Sequence, residues 1–392
     1  MIDIKNNNID ACTIYLLLWA LGYVQKMFIS SSLVSMLFYV PYLCMTLYYI
    51  VKVFNIYRLK GVMLAFSVFF VVMICYGIAL VLLDNSVKNN KAFLMFIINN
   101  LAPLFPFYCF SRQGILTEKR MLLWFFIFLV VATLDFNISQ KRGLALLLED
   151  GSKYEEITNN AAYSILALLP FVFLLQKKPV MQYVVLIYIV YFVVLGLKRG
   201  AVFICLLIVI WFVYISTKST SSTKRGVILL LTIIALGIGW HYIMQFYETS
   251  LYFQRRVEKT MEGSSSNRDF IYSTLWNHYL NNDNFLQLIF GEGGLHTVNI
   301  SGYMAHNDWL ELLIDCGLLG IVVYLVYWIC FIKDWLRVKQ NVLVYSMMGA
   351  CLFFTFLKTL FSMSFFSMPF YICMAMGYCF GQVQEKNNRV IQ

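Results

Sequence analysis

The sequence predicts an all-α integral membrane protein of about twelve transmembrane helices, with one large extracytoplasmic loop between the ninth and the tenth. Three observations carry that prediction. Of the 392 residues, 61% are hydrophobic and 13% charged, about half the ~25% charged share of an ordinary soluble domain. The apolar residues fall in separate runs long enough to cross a bilayer, which takes roughly 20 helical residues. The basic residues collect on alternate connections between those runs, the mark of cytoplasmic loops. Composition alone excludes a soluble enzyme.

The apolar runs lie at 11–25, 30–51, 61–83, 92–110, 120–138, 160–176, 181–197, 200–217, 226–247, 309–332, 342–361 and 363–382. Pro41, Pro103, Pro106, Pro170 and Pro369 interrupt several of them, which membrane helices tolerate where neighbours satisfy the freed backbone groups. Residues 1–247 thus carry helices one to nine, 248–308 the loop, 309–382 helices ten to twelve, and 383–392 a cytoplasmic tail. Residues 1–10 hold one lysine, and no small-residue cleavage site follows the first apolar run, so that run reads as an uncleaved helix. With the N-terminus in the cytoplasm, Lys5, Lys52, Arg58, Lys60, Arg112, Lys119, Arg120, Lys177, Lys178, Lys218, Lys224, Arg225, Lys333, Arg337, Lys339, Lys386 and Arg389 all lie inside. The positive-inside bias sets this orientation. It also accounts for the net charge of +10 without nucleic acid. The ten cysteines sit inside apolar runs with no C-x-x-C pair and read as small buried hydrophobes.

The outer segments hold the unusual residues. Residues 139–159 form a modest loop of mixed charge, and 248–308 form a stretch too long to be a mere connection. Within the long loop, Asp269 to Leu280 carries Phe270, Leu275, Trp276 and Tyr279, the pattern of a short amphipathic helix near the membrane surface. Ser264-Ser265-Ser266-Asn267-Arg268 precedes it, placing an arginine where helix amides are also free to meet a phosphate. Phe290-Gly291-Glu292-Gly293-Gly294 follows, a weak phosphate-cradle signal or a flexible turn. His306 stands where the chain enters the tenth helix, with Asn307 or Asp308 available as cap. The positive helix end keeps such an imidazole neutral and able to accept a proton. Residues 306, 310, 313, 317 and 320 share one helical face, with glycines at 317 and 320 permitting close packing. Lys198-Arg199-Gly200 lies between two apolar runs at the outer side, where basic residues line a polar cavity or pair with an anion, or snorkel to headgroups. Lys358 and Asp135 invite the same reading. Glu311 and Asp315 need buried partners, for which Arg199 is one choice. His241, His278 and His296 read as structural, and no carboxylate cluster argues for a divalent cation.

In this order the features resemble the bacterial O-antigen polymerase and O-antigen ligase superfamily, membrane enzymes of GT-C-like helical architecture. The family's pattern is an S-G-R-like turn, an aromatic-bearing helix, a G-x-G and then H-N-x-x-L-x-x-L-x-x-x-G-x-x-G. It is matched by Ser266-Asn267-Arg268, Trp276, Gly291 to Gly293, and His306 through Gly320. Asn267 replaces the common glycine, and Tyr272 stands where tryptophan is frequent. An arginine at an outer R-G step is matched by Arg199-Gly200. The resemblance covers mainly residues 195–330.

It implies a metal-independent, cofactor-free glycosyltransferase of the bacterial inner membrane, multi-pass, with its active site facing the periplasm. His306, Arg268 and Arg199 would be catalytic, and Asn307, Asp308, Gly291, Gly293, Lys198 and Lys358 would bind substrate. The implied partners are an undecaprenyl diphosphate-linked oligosaccharide donor and acceptor, the lipid bilayer and a chain-length regulator protein, with no nucleic acid. The leading expectation is a repeat-unit polymerase acting by a single inverting displacement. The alternatives are a ligase to lipid A core, a protein O-oligosaccharyltransferase and, outside the class, a polysaccharide transporter.

Overall fold

In the computed structural model, which describes residues 10–29, 31–83, 88–149, 158–218 and 268–389 and isolated positions between 225 and 258, all regular structure is helical. The elements are α1 (Ala11–Phe28), α2 (Ser32–Ile56), α3 (Gly61–Leu83), α4 (Lys88–Leu101), α5 (Leu104–Arg112), α6 (Glu118–Glu149), α7 (Ala162–Leu166), a 3-10 turn (Leu169–Leu175), α8 (Pro179–Leu195) and α9 (Arg199–Lys218). After them come α10 (Arg268–Leu280), α11 (Phe285–Phe290), α12 (His296–Ser301), α13 (Asp308–Arg337), α14 (Val342–Phe361) and α15 (Phe370–Arg389).

Among the described residues, eight helices are long and apolar enough to span a membrane, taking α4 and α5 together as one. Two further apolar segments, Ala162–Leu175 and Pro179–Leu195, are shorter. The run at 226–247 lies almost wholly outside the described residues. Proline explains most departures from the expected runs. Pro103 divides α4 from α5 and Pro170 turns the sixth run into a short helix plus a 3-10 turn, because each ring removes a backbone donor. Pro41 is accommodated inside a continuous α2. Helix α6 runs on to Glu149, well past the expected end at 138, since no proline stands between 118 and 149. The last helix starts at Phe370, after Pro369, and not at 363.

Burial is inverted relative to a soluble protein. Leu33, Leu37, Val51, Val184, Ile187, Leu318, Val322, Leu325 and Ile329 are exposed on the helix flanks, which suits hydrocarbon surroundings. The interior is aromatic: Trp19 stacks on Phe370 with ring centroids 4.2 Å apart, and Tyr15 on Tyr42 at 4.9 Å. Helix α15 lies against α5 closely enough that a Cβ on Gly377 would meet the Phe107 Cβ at 2.5 Å, the small-residue contact by which membrane helices pack. At the end of the bundle remote from His306, the buried Asp334 of α13 accepts the Val62 amide at 2.7 Å. A carboxylate there satisfies a free donor at the start of α3 and opposes the helix dipole.

Helix α13 is the scaffold of the site, and it is broken. Gly317 adopts φ 63° and ψ −161°, so residues 306–320 do not form the regular single face expected of an unbroken helix. The break frees the Ile314 and Asp315 carbonyls, which accept the amides of Glu292 and Gly293 at 2.9 and 3.2 Å. The Tyr76 hydroxyl also donates to the Asp315 carbonyl, at 2.6 Å. Backbone freed inside a bundle is re-satisfied by its neighbours, here by the G-x-G turn.

Candidate functional site

The residues singled out in the sequence come together at one end of the bundle, where α9, α10 and α13 begin and α14 ends. Arg268 is the first residue of α10 and half-buried. Residues 264–267 lie outside the described residues. One turn on, the Tyr272 side chain shares a hydrogen bond with that of Asn307 and lies in the field of Arg268, which docks the start of α10 against the start of α13. The helix is not the simple amphipathic one expected: Leu275 is fully buried while Phe270 and Trp276 are exposed, so apolar side chains stand on both its inner and its outer face.

His306 is held on both sides. The Ala305 amide donates to Glu311 Oε2 at 2.7 Å, and Asn307 Oδ1 caps α13 by accepting the Trp309 and Leu310 amides at 2.9 and 3.3 Å. Between these anchors His306 takes φ 52°, a left-handed conformation that histidine tolerates better than most residues but that still needs surrounding support. Burial pushes its imidazole below the ordinary histidine range, and the positive charges of Arg268 and Lys198 push it further the same way. The neutral, proton-accepting form therefore prevails, as expected from its place at a helix start, although the larger causes are burial and two cations.

The charge that His306 feels from the Lys198-Arg199 step is that of Lys198. Arg199, expected to be the catalytic member, is exposed on the first turn of α9, while Lys198 is half-buried. Gly200 has its own reason: a Cβ there would lie 2.5 Å from the Tyr163 hydroxyl and 3.0 Å from the Phe361 Cβ.

Tyr163 joins the other pieces. Its hydroxyl shares a hydrogen bond with the Ser362 side chain, it lies in the field of Arg268, and Lys358 Nζ sits 5.5 Å from its ring centroid. Sequence reasoning missed it, because one tyrosine in a chain that is 17% aromatic carries no distinguishing mark.

Several expected substrate-binding residues have other tasks. Asp308 is fully buried and accepts the Tyr324 hydroxyl at 2.8 Å and the amides of Ser364 and Phe365 at 2.9 and 3.2 Å. It ties α13 to the connection before α15, away from solvent. Asn307 is engaged as cap and as the partner of Tyr272. Lys358 is buried, with its ammonium donating to the Ser367 carbonyl and, at 2.6 Å, to the Ser367 hydroxyl. The G-x-G is a clasp, not a phosphate cradle. A Cβ on Gly291 would run into the Asp315 carbonyl, and the Gly293 amide is given to that same carbonyl.

Glu311 and Asp315 are partnered by the loop and not by an arginine. Glu311 accepts the Thr297 hydroxyl at 2.7 Å in addition to Ala305, and Asp315 accepts the Leu295 and His296 amides at 2.8 and 2.9 Å. Glu292 is bracketed by His278 at 2.8 Å and His296 at 3.2 Å, the structural use expected of those histidines. His241 lies outside the described residues. Among the described residues, no group of three or more His, Cys, Asp and Glu side chains is placed to hold a metal ion.

The arrangement offers an anion two cations from different elements, Arg268 and Lys198, beside a neutral imidazole. Arg268 forms no ion pair with a described carboxylate. No protein-family model matches the chain, and no curated relative matches it. Function is therefore read from the site itself.

Proposed function

We propose that the protein is a glycosyltransferase that polymerises lipid-linked repeat units, taking a glycan from an undecaprenyl diphosphate carrier at the outer face of the bacterial inner membrane. The observation that carries this reading is the convergence of Arg268 and Lys198 on a His306 held in its neutral form. In the reaction, the acceptor hydroxyl oxygen forms a bond to the anomeric carbon of the donor sugar as the bond from that carbon to the phosphate oxygen breaks. The hydroxyl proton passes to the His306 imidazole. Negative charge grows on the departing diphosphate, and Arg268 and Lys198 oppose it. One displacement inverts the anomeric centre. Helix α10, with Phe270 and Trp276 outward, supplies an apolar flank against which a membrane-held carrier can lie.

Cells carrying His306→Ala or Arg268→Ala, with the protein present at wild-type level, test the reading. Polymer synthesis is expected to fall by about 100-fold or more, the usual worth of a positioned acid–base group. Core bearing a single unit will persist if the activity is polymerisation, and all attached glycan will disappear if it is ligation. Long chains formed at the wild-type rate by both variants would overturn the enzyme reading.

A further inference from the structure

A largely polar cavity of about 440 Å³ lies between α6 and the stretch 158–164, lined by Asp135, Ser139, Thr158, Asn159, Asn160, Ala161 and Ser164. We propose that it is a subsite for a neutral, hydroxyl-rich sugar, the acceptor end of the growing glycan; the word acceptor rests on the transfer reading above, while sugar binding does not.

The cavity and the cluster share one short stretch of chain. The Asn159 amide donates to the Gly196 carbonyl at 2.9 Å, two residues before Lys198. Ser164 lines the cavity, and its neighbour Tyr163 stands against Gly200 in the field of Arg268.

The lining suits sugar hydroxyls. Asp135 accepts the Tyr23 hydroxyl at 2.8 Å through Oδ2, and its other oxygen has no hydrogen-bond partner among the described residues. A carboxylate acceptor inside a membrane span is costly unless it has a function. Asn159 shapes the wall, its side chain donating to the Phe136 carbonyl at 2.9 Å and to Gln140 at 3.2 Å and accepting the Ala161 amide at 2.9 Å. Ser139, Thr158 and Asn160 have side chains that can both donate and accept, as hydroxyls and amides do. Among the described residues, no cation lines the cavity, which separates it chemically from the cationic cluster. Its volume falls within the roughly 300–1,000 Å³ of small-molecule sites.

The test is photocrosslinking in living cells that make their own lipid-linked glycan, fed tritiated sugars. One chain carries Ser139→p-benzoylphenylalanine and a second Asn160→p-benzoylphenylalanine, an exposed position where folding is least disturbed. Leu123 of α6, 60% exposed on its flank, takes the same substitution as control. Tritium-labelled adducts are expected at 139 and 160 and not at 123. Label absent from both cavity positions, or equal at Leu123, overturns the subsite. Polymer made by the wild-type cells is scored in parallel. Labelled adducts without polymer keep the subsite and remove the transferase reading, whereas polymer without label removes the subsite alone.

Discussion

Replacing Glu311 by alanine is the sharpest probe of how the fold holds His306. Glu311 is fully buried, with its two oxygens accepting the Thr297 hydroxyl and the Ala305 amide, each at 2.7 Å. Alanine removes both acceptors and leaves two buried donors unsatisfied, at about 1–3 kcal/mol each and so about 2–6 kcal/mol together. It also frees the peptide that precedes His306. A non-glycine residue in the left-handed region is strained by about 1–3 kcal/mol, so a freed His306 at φ 52° will relax to an ordinary conformation and carry the imidazole away. A displacement of about 1 Å at a reacting group costs on the order of 100-fold in rate. Glu311→Gln keeps one acceptor oxygen and should fall between wild type and Glu311→Ala. Stability is read from the melting curve of the protein in lipid nanodiscs, followed by a thiol-reactive dye that reports exposure of buried cysteines such as Cys316 and Cys351. Rate is read from transfer between purified lipid-linked oligosaccharides. A lowered melting temperature with an unchanged rate would refute the placement of His306 by Glu311, and an unchanged melting curve would refute the clamp itself.

Three further outcomes follow from the same contacts. Arg268→Gln removes a cation that holds the His306 pKa down, so the pKa rises; activity needing the neutral imidazole should then be lost at a higher pH on the acid limb, and an unmoved limb in a pH–rate profile would break the link. Gly317→Ala puts a Cβ 2.5 Å from the Ile289 carbonyl group at a backbone conformation reserved for glycine, a strain of about 1–3 kcal/mol before any clash. Its melting temperature should fall and Cys316 should react faster with the dye. Gly200→Ala pushes on the Tyr163 hydroxyl and should lower transfer. Adding Tyr163→Phe should restore part of that loss by removing the atom in the way, and double-variant kinetics lacking any recovery would show that Gly200 serves another purpose.

Local chemistry made much of this protein legible from residue order alone. Apolar runs, their prolines and the alternation of basic connections depend only on near neighbours and on bilayer thickness, and they gave the all-helical membrane class; of the about twelve spans they suggested, eight are of spanning length among the described residues. The start of α10 beside Arg268 and the cap at Asn307 were readable for the same reason, since helix ends act within one turn, whereas the causes that keep His306 neutral, burial and the charges of Arg268 and Lys198, are tertiary. Tertiary structure alone decided the rest. It turned Asp308 inward onto Ser364 and Phe365, more than 50 residues away, and made the G-x-G a clasp for the carbonyls freed at Gly317. It also set the charge of Lys198 on His306 and brought Tyr163 under Lys358. Each of these depends on partners far off in the chain, and a residue's spacing cannot say which distant donor or acceptor burial will bring to it.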